Sequence, residues 1–292
     1  MDWDGFMELN GKMNKDLGLV VKNVTVVYRN GTVGLKNASF EIPNGSISAL
    51  VGVNGAGKST LFKSVMNILP CATGEISIFG EPVKQALKTN RVSYVPQAEE
   101  VDWNFPVLVE DLVMMGRYGH MSWLRFPRKE DKNQVSVALD RVGMIDFRRR
   151  QIGELSGGQR KRVFLARAIA QNSEVILLDE PFAGVDLKTE EKIIKLLTEM
   201  KKEGRLILIA THNLGSVPQF CDQTILVKET VLSYGPTKTT FTRENLELAF
   251  GGVLRHFVLG GSQLHDDEDK RQVTVISDDE RPLVIYSEEK SK

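Results

Sequence analysis

The segment from Gly52 to Thr60, Gly-Val-Asn-Gly-Ala-Gly-Lys-Ser-Thr, has the spacing Gly-x-x-x-x-Gly-Lys-Ser of a phosphate-binding loop. Glycines at these positions allow the backbone to fold around a phosphate chain with its N–H groups pointing inward. Lys58 is placed to reach the outer phosphates, and the Ser59 hydroxyl is placed to hold Mg²⁺. The residues that we expect to bind nucleotide here are Gly52, Asn54, Gly55, Ala56, Gly57, Lys58, Ser59 and Thr60.

The residues on either side of this loop predict the strand and the helix that such a loop needs. An apolar run from Ile47 to Val51 predicts a strand before it, and Leu61 to Leu69 predicts a helix after it. A helix that begins at the loop directs the positive end of its dipole at bound phosphate. The motif alone can occur by chance in a glycine-rich turn, but the strand–loop–helix order favours an α/β nucleotide-hydrolase core.

The composition indicates a globular chain without an excess of either charge. The 292 residues, 41% of them hydrophobic, suffice for one large domain with a tail or for two small domains. The 38 acidic and 38 basic side chains cancel, so we expect no nucleic acid partner. The longest apolar runs have the length of strands, and residues 1–16 lack the features of a signal peptide. Cys71 and Cys221 have no metal-ligand spacing, and we expect them to be reduced thiols in a cytosolic protein.

Alternating strand and helix patterns predict a mostly parallel sheet, preceded by an antiparallel β subdomain. Short alternating runs at residues 19–28 and 38–42, joined by a turn at 29–31, predict the first antiparallel strands. Three further patterns predict helices, at residues 106–116, 129–142 and 157–170. We divide the chain into a flexible N-terminal tail at 1–18, a main domain at 19–259 with a helical subdomain at about 98–172, and a C-terminal appendage at 260–292, whose alternating runs at 273–276 and 282–286 are compatible with paired strands.

Asp179 and Glu180 directly follow the apolar strand predicted at Val175–Leu178. In open α/β sheets, ligands bind outside the carboxyl ends of the strands. In nucleotide hydrolases with a phosphate-binding loop, an Asp at this place holds Mg²⁺, usually through water. An adjacent carboxylate can orient and deprotonate the attacking water. We expect this role of Glu180, in preference to that of a solvated loop residue.

Leu155-Ser156-Gly157-Gly158-Gln159, which we call the signature segment, opens the helix predicted at 157–170. The exposed N–H groups and the hydroxyl of such a helix start form a second anion site. Ser156 also suits the N-cap of that helix. Capping does not explain the two consecutive glycines, because glycine lowers helix stability.

These motifs resemble, over about residues 19–250, those of the ATP-binding cassette (ABC) family, whose signature lies just before the strand that ends in Asp-Glu. Four further residues or segments match family motifs in the same order along the chain. They are Tyr28 for the aromatic residue that stacks on adenine, Gln97 for the lid glutamine, Ala183–Asp186 for the loop at the dimer seam, and His212 for the switch histidine. The resemblance implies an ABC ATPase architecture.

The resemblance further implies an ATPase that works as a homodimer. Two copies face head to tail, and each ATP binds between the phosphate-binding loop of one copy and the signature segment of the other. A γ-phosphate that contacts both surfaces joins them, and hydrolysis releases them. The implied catalytic residues are Glu180, His212, Lys58 and Gln97; the implied Mg²⁺ site is Ser59, Gln97 and Asp179; the implied ATP contacts beyond the phosphate-binding loop are Tyr28, Ser156, Gly157, Gly158, Gln159 and Asp186.

Residues 98–121 indicate a membrane partner. In cassettes of this type, the segment forms a groove for a cytoplasmic helix of an integral membrane permease. Five apolar residues suit such a groove or fill the core of the helical subdomain, and we expect a mixture of the two: Trp103, Phe105, Val107, Met114 and Met115. The sequence Asp-Trp-x-Phe-Pro at 102–106, followed by Val-x-Met-Gly-Arg-Tyr-Gly at 113–119, resembles that of the importers of manganese, zinc and iron(II) ions. That resemblance implies a peripheral protein on the cytoplasmic face of the inner (plasma) membrane, served indirectly by an extracytoplasmic solute-binding protein.

Two other interpretations remain open from the sequence. A non-transport ABC ATPase that acts as an assembly scaffold, as in iron–sulfur assembly, would not need an apolar groove after Gln97. A translation factor of this superfamily usually carries two cassettes in one chain, whereas this sequence has one phosphate-binding loop and one signature segment.

Overall fold

The computed structural model describes residues 17–97, 105–251, 255–259, 273–277 and 283–286. The strands in these residues are β1 (Leu17–Val27), β2 (Val33–Pro43), β3 (Ile47–Val51), β4 (Thr73–Ile78), β5 (Glu81–Pro82), β6 (Val92–Val95), β7 (Val175–Asp179), β8 (Leu206–Thr211), β9 (Gln223–Lys228), β10 (Thr230–Pro236), β11 (Arg255–Leu259), β12 (Val273–Ser277) and β13 (Leu283–Tyr286). The helices are α1 (Lys58–Val65), α2 (Val83–Lys88), α3 (Val109–Met114), α4 (Lys129–Arg141), α5 (Gly157–Ala170), α6 (Leu187–Lys202), α7 (Val217–Phe220), α8 (Thr237–Thr240) and α9 (Arg243–Phe250). Short 3₁₀ turns lie at Met115–His120, Ile145–Phe147 and Ile152–Glu154.

The central layer is a six-stranded sheet in the order β10-β9-β3-β8-β7-β6. The pairs from β9 to β6 are all parallel, and β10 adds an antiparallel edge. β3, β7 and β8 are buried along their whole length, as is typical of parallel strands covered on both faces. This sheet confirms the predicted α/β fold.

The two faces of the parallel sheet belong to two hydrophobic cores. Ile176 and Leu178 of β7 pack in one core with α3, α4, α5 and α6. Leu177, between them, packs in the other core with α1 and the antiparallel strands. Because side chains alternate along a strand, each central strand contributes to both cores and is held between them.

The second layer is a four-stranded antiparallel sheet in the order β2-β1-β4-β5. β1 and β2 form the predicted hairpin, which is closed by a hydrogen bond from the Tyr28 amide to the Thr32 carbonyl at 2.8 Å. β2 begins at Val33, whereas the sequence pattern predicted a start at residue 38. The prediction was wrong because Asn37, with a φ of 46°, interrupts the alternation on which it relied.

The first helix of the helical subdomain begins later than the sequence pattern predicted. α3 starts at Val109, whereas the prediction began at residue 106. Leu108 is extended and forms an isolated antiparallel bridge with Gln151. This long-range pairing, which periodicity does not show, holds Leu108 in extended conformation ahead of the helix.

The turn after α3 is anchored to α5 by close backbone contact and to α4 by a buried ion pair. At Gly116, a Cβ atom would lie 2.3 Å from the carbonyl oxygen of Arg167, so only glycine permits this approach. Arg117 donates to Asp131 at 3.0 Å and to the carbonyl oxygen of Ala170 at 3.0 Å. Burial alone would raise the pKa of Asp131, but hydrogen bonds from the Arg128 amide and from Arg117 hold that pKa below its usual value.

A small antiparallel sheet, β11-β12-β13, lies near the C-terminus. The pairing of β12 with β13 confirms the two strands inferred from the alternating runs. β11 lies before the predicted boundary at residue 260 and pairs with β12, so this sheet spans that boundary. At the other end, Leu17 and Gly18 of the predicted tail belong to β1, and the rest of that tail lies outside the described residues. None of the helices in the described part of the chain has the length and apolar character of a membrane span.

Arg117→Leu should lower the free energy of unfolding by about 3–5 kcal/mol, because it leaves the Asp131 carboxylate buried without its charge partner. Urea denaturation measures this change. Lys22→Ala is the control: it removes a cation from an exposed pair with Glu75 and should cost no more than about 1 kcal/mol. Equal losses in the two variants would contradict a specific role for the buried pair.

Candidate functional site

The phosphate-binding loop connects β3 to α1, as its sequence predicts, and packing explains two of its glycines. A Cβ atom at Gly52 would lie 2.2 Å from the carbonyl oxygen of Val227 in β9. Gly57 has a φ of 104°, and a Cβ atom there would lie 2.8 Å from the carbonyl oxygen of Gly34. Both positions therefore require glycine for close packing of the loop, in addition to any contact with phosphate.

A cleft of 540 Å³ lies over this loop. It is lined by the loop, by the hairpin between β1 and β2, and by the ends of β6 and β7. The lining residues are Tyr28, Thr32, Val33, Gly34, Asn54, Gly55, Ala56, Gly57, Lys58, Ser59, Thr60, Gln97, Asp179 and Glu180. The structure thus brings together predicted residues from four separate segments: Tyr28, the phosphate-binding loop, Gln97, and Asp179 with Glu180.

Lys58 is buried at the first position of α1. Its Nζ donates to the carbonyl oxygens of Gly52 at 2.6 Å and of Val53 at 3.2 Å. These bonds hold the ammonium group across the loop, where the backbone turns around a phosphate chain. A phosphate oxygen is a stronger acceptor than a carbonyl because it is charged.

Ser59 and Asp179 provide the oxygen donors of a cation site. The Ser59 hydroxyl donates to Oδ2 of Asp179 at 3.0 Å. Burial raises the pKa of Asp179, opposed by the Ser59 hydrogen bond and assisted by the charge of Glu180. A cation would favour the charged form of this carboxylate. Since Mg²⁺ prefers oxygen ligands with few protein carboxylates, the residues fit this ion.

Tyr94 is a site residue that the sequence analysis did not identify. Its hydroxyl lies 3.4 Å from Oδ2 of Asp179, on the oxygen that also accepts from Ser59. The two residues are distant in the chain and meet because β6 pairs with β7. The sequence holds a weak signal, an aromatic residue with a hydroxyl three positions before Gln97, which has meaning only once the strands are paired.

Glu180 and His212 form a second polar pair at the end of the sheet. Nδ1 of His212 lies 2.8 Å from Oε1 of Glu180, whose side chain is 5% exposed. Glu180 has a φ of 52°, a conformation that costs a residue other than glycine about 1–3 kcal/mol. The Glu180 amide donates to the Ala210 carbonyl at 2.9 Å, and Nζ of Lys161 donates to the Glu180 carbonyl at 3.2 Å. These bonds hold the carboxylate at the cleft despite the strain.

Gln97 lies directly after β6 and is exposed in the cleft. In the paired strands Val95 is opposite Leu178, so Gln97 leaves the sheet next to Asp179 and Glu180. It also lines a smaller cavity with Lys161 and Glu180. The glutamine is therefore placed between the two carboxylates and the helical subdomain.

Tyr28 lies at the rim of the cleft, and its ring is fixed from two sides. The hydroxyl is 2.6 Å from Oγ1 of Thr60 in α1. The ring packs on Gly34 of β2, where a Cβ atom would lie 2.4 Å from Cε2 of the tyrosine. A fixed aromatic ring at the rim offers a flat surface on which a base can stack.

The signature segment and Asp186 are not part of this cleft. Ser156 caps α5: the Gln159 amide donates to its hydroxyl at 3.4 Å, which confirms the N-cap interpretation. A Cβ atom at Gly157 would have no other atom within 4 Å. Asp186 caps α6 by accepting from the Thr189 amide at 3.0 Å. In the described part of the chain, these two exposed helix starts do not line the cleft over the phosphate-binding loop.

Comparisons with known proteins identify the family of the chain. The model of the ABC transporter family matches residues 35–183. The chain is 60% identical over 273 residues to the chelated iron transport system membrane protein YfeB of Yersinia pestis, covering 94% of this chain and 92% of that protein. It is 60% identical over 209 residues to the manganese transport system ATP-binding protein MntA of Synechocystis sp., covering 72% and 80%. A metal-chelate type ABC transporter in an inward-facing conformation is similar in structure, with a TM-score of 0.73, 27% identity, and coverage of 92% and 98%.

Tyr28→Ala should raise the Michaelis constant for ATP about 5- to 100-fold and leave the maximal rate nearly unchanged, because stacking on a base contributes about 1–3 kcal/mol. Steady-state ATPase kinetics of the assembled protein measure both quantities. Tyr28→Phe is the control, since it keeps the ring and loses only the contact with Thr60. A large fall of the maximal rate at saturating ATP would show that Tyr28 does more than hold the base.

Proposed function

This chain belongs to the ABC transporter family, and on that premise we propose that it is the ATP-hydrolysing subunit of an importer for manganese, iron or zinc ions. The main support for hydrolysis is that Lys58, Asp179 and Glu180 meet at one cleft. The main support for the cargo is that two relatives, each 60% identical, are named for transport of chelated iron and of manganese.

ATP binds with its phosphates along the phosphate-binding loop and its base at Tyr28. The Lys58 ammonium exchanges its hydrogen bonds to the Gly52 and Val53 carbonyls for contacts with the β- and γ-phosphates. Ser59, Asp179 and Gln97 would hold Mg²⁺, which would supply positive charge at the outer phosphates.

Hydrolysis requires a base for the attacking water and stabilisation of the transferred phosphoryl group. Glu180 is the base: its carboxylate is buried beside the cleft and held by the backbone bonds of β8. His212, oriented by its contact with Glu180, and Lys58 stabilise the charge that develops on the γ-phosphate. Gln97 detects the γ-phosphate, because it lies between the carboxylates and the helical subdomain.

The complete site needs two copies of the chain. Ser156 and Gly157 are exposed at the start of α5, apart from the phosphate-binding loop of their own copy. In a head-to-tail homodimer, the N–H groups of this helix start bind the γ-phosphate held by the other copy. The open space around Gly157 leaves room for that approach, and Asp186 lies at the seam between the copies.

The helical subdomain presents an apolar surface for a permease. The exposed side chains that form it, which we call the apolar patch, are Phe105, Met115, Tyr118, Trp123, Leu124 and Phe126. Trp123 and Phe126 are 89% and 73% exposed, a degree that is uncommon for such large side chains without a partner. Val107 and Met114 are partly buried and pack against the core instead. We expected from the sequence that some of these apolar residues would be exposed and others would fill the core. Trp103 lies outside the described residues.

The apolar patch favours a transporter over an assembly scaffold, because a scaffold has no permease helix to receive. The subunit is then peripheral, held on the cytoplasmic face of the plasma membrane by the permease. An extracytoplasmic solute-binding protein delivers the cargo and does not contact this chain. The cargo is selected by those partners, and this subunit supplies the free energy of ATP hydrolysis.

Glu180→Gln should lower the ATP hydrolysis rate of the assembled transporter by about 10²–10⁴-fold, because the amide cannot accept the proton of the attacking water. The variant should still bind ATP and accumulate as an ATP-bound dimer in size-exclusion chromatography. Glu75→Gln, at an exposed carboxylate of β4, should behave as the unaltered protein in both measurements. Near-normal turnover of Glu180→Gln would exclude Glu180 as the base.

The double variant Trp123→Ser, Phe126→Ser should lose pull-down of the permease and cellular uptake of radioactive manganese, iron and zinc. Truncation of a central aromatic residue in an interface often lowers the binding free energy by about 2 kcal/mol or more. Both side chains are solvent-exposed in the single chain, so their loss should not affect folding or ATP binding. Leu248→Ser, at an exposed position of α9, is the control.

Retention of permease binding and uptake by the double variant would place the docking surface elsewhere. Deletion of the gene tests the cargo separately. If uptake of all three metals is unchanged in the deletion strain, the cargo assignment is wrong and the importer serves another solute.

A further inference from the structure

Tyr94 is a polar side chain at the ATP site to which the function proposed above assigns no role. It lies half-buried on β6, and its ring packs edge-to-face on Phe62 of α1, with centroids 5.9 Å apart and an interplanar angle of 80°. Its hydroxyl lies 3.4 Å from Oδ2 of Asp179. The ring contact fixes the direction of the hydroxyl, because a tyrosine oxygen cannot move independently of its ring.

We propose that Tyr94 is a positioning residue that orients the Asp179 carboxylate for Mg²⁺. The inference rests on the proposed function, because it requires that Asp179 holds the ion. It adds to that function a residue outside the family motifs of the sequence analysis.

The carboxylate of Asp179 accepts from two different elements through the same oxygen. Ser59 donates to Oδ2 from α1 at 3.0 Å, and Tyr94 donates to it from β6. Donors on two sides of one oxygen restrict rotation of the carboxylate about its own axis. Oδ1 is then directed to the cation or to a water molecule of its hydration shell.

The Tyr94 hydroxyl remains a donor at neutral pH. Burial raises its pKa, and the negative charge of Asp179 adds to the rise. The separation of 3.4 Å exceeds the usual 2.7–2.8 Å of an O–H···O bond. Hydrogen bonds of this kind often shorten when an active site is loaded, so we expect the contact to tighten with Mg²⁺ and nucleotide present.

The position of Tyr94 also connects the ion to the glutamine that senses the γ-phosphate. Tyr94 is opposite Leu177 in the parallel pair of β6 and β7, so Asp179 and Gln97 leave the sheet side by side. The hydrogen bond from Tyr94 to Asp179 joins the ends of β6 and β7. It therefore holds Asp179 at a fixed distance from the chain that leads into Gln97.

Tyr94→Phe tests the inference, because it removes the hydroxyl and keeps the ring on Phe62. Mn²⁺ serves as the probe, with its binding measured by electron paramagnetic resonance in the presence of a non-hydrolysable ATP analogue. We expect Mn²⁺ affinity to fall about 3- to 10-fold, at the lower end of the effects typical of residues that orient a metal ligand. Thermal stability and metal-free binding of the analogue should remain those of the unaltered protein.

Three further variants make the result decisive. Asp179→Asn should weaken Mn²⁺ binding more strongly than Tyr94→Phe, since it removes the ligand charge. Tyr234→Phe makes the same chemical change at an exposed position of β10 and should have no effect. Tyr94→Leu also removes the ring, and it should lower both thermal stability and Mn²⁺ affinity.

The inference is overturned if Asp179→Asn weakens Mn²⁺ binding while Tyr94→Phe binds the ion as the unaltered protein does. It is also overturned if only Tyr94→Leu weakens binding, since packing and not the hydroxyl would then matter. Mn²⁺ binding that is insensitive to Asp179→Asn would instead refute the proposed Mg²⁺ site itself.

Discussion

The in-register parallel pairing of β7 with β8 is the constraint that places the proposed catalytic groups of this protein. Asp179 is opposite Ala210, so Glu180 and His212 leave neighbouring strands at the same edge of the sheet. β3 pairs with β8 on its other side, which brings the phosphate-binding loop to that edge as well. A shift of one residue would exchange the side chains between the two hydrophobic cores. Core packing therefore determines where the carboxylates lie.

Glu180, the proposed base, shows how this framework supports a strained backbone conformation. Its left-handed backbone would be unfavourable in a free loop. The Ala210 carbonyl binds its amide, and Lys161 binds its carbonyl and that of Ala183. The two partners of the Glu180 backbone, Ala210 and Lys161, belong to β8 and α5, so this backbone has little freedom to move. In the proposed role as base, Glu180 would need little reorganisation when the water attacks.

In the proposed dimer, each chain holds one half of an ATP site and presents the other half to a second copy. Helix starts at Ser156 and Asp186 are satisfied by their own caps, so their exposure costs no buried hydrogen bonds. The apolar patch is different, because Trp123 and Phe126 gain free energy only when a partner covers them. Dimer and permease contacts thus rest on different physics: polar, nucleotide-dependent contact in the first case and apolar burial in the second.

Local sequence determined the phosphate-binding loop, the strands formed by apolar runs, and the capped start of α5. Glycine conformation, hydrophobic runs and helix caps all act within a few residues. It also carried the family resemblance, which the comparisons confirm. Tertiary structure alone decided that Met114 packs inward while Met115 is exposed, that β2 extends past the irregularity at Asn37, and that the Tyr94 hydroxyl reaches Asp179. Each of these depends on which distant segments pair or pack, and no pattern within a single segment records its neighbours in space.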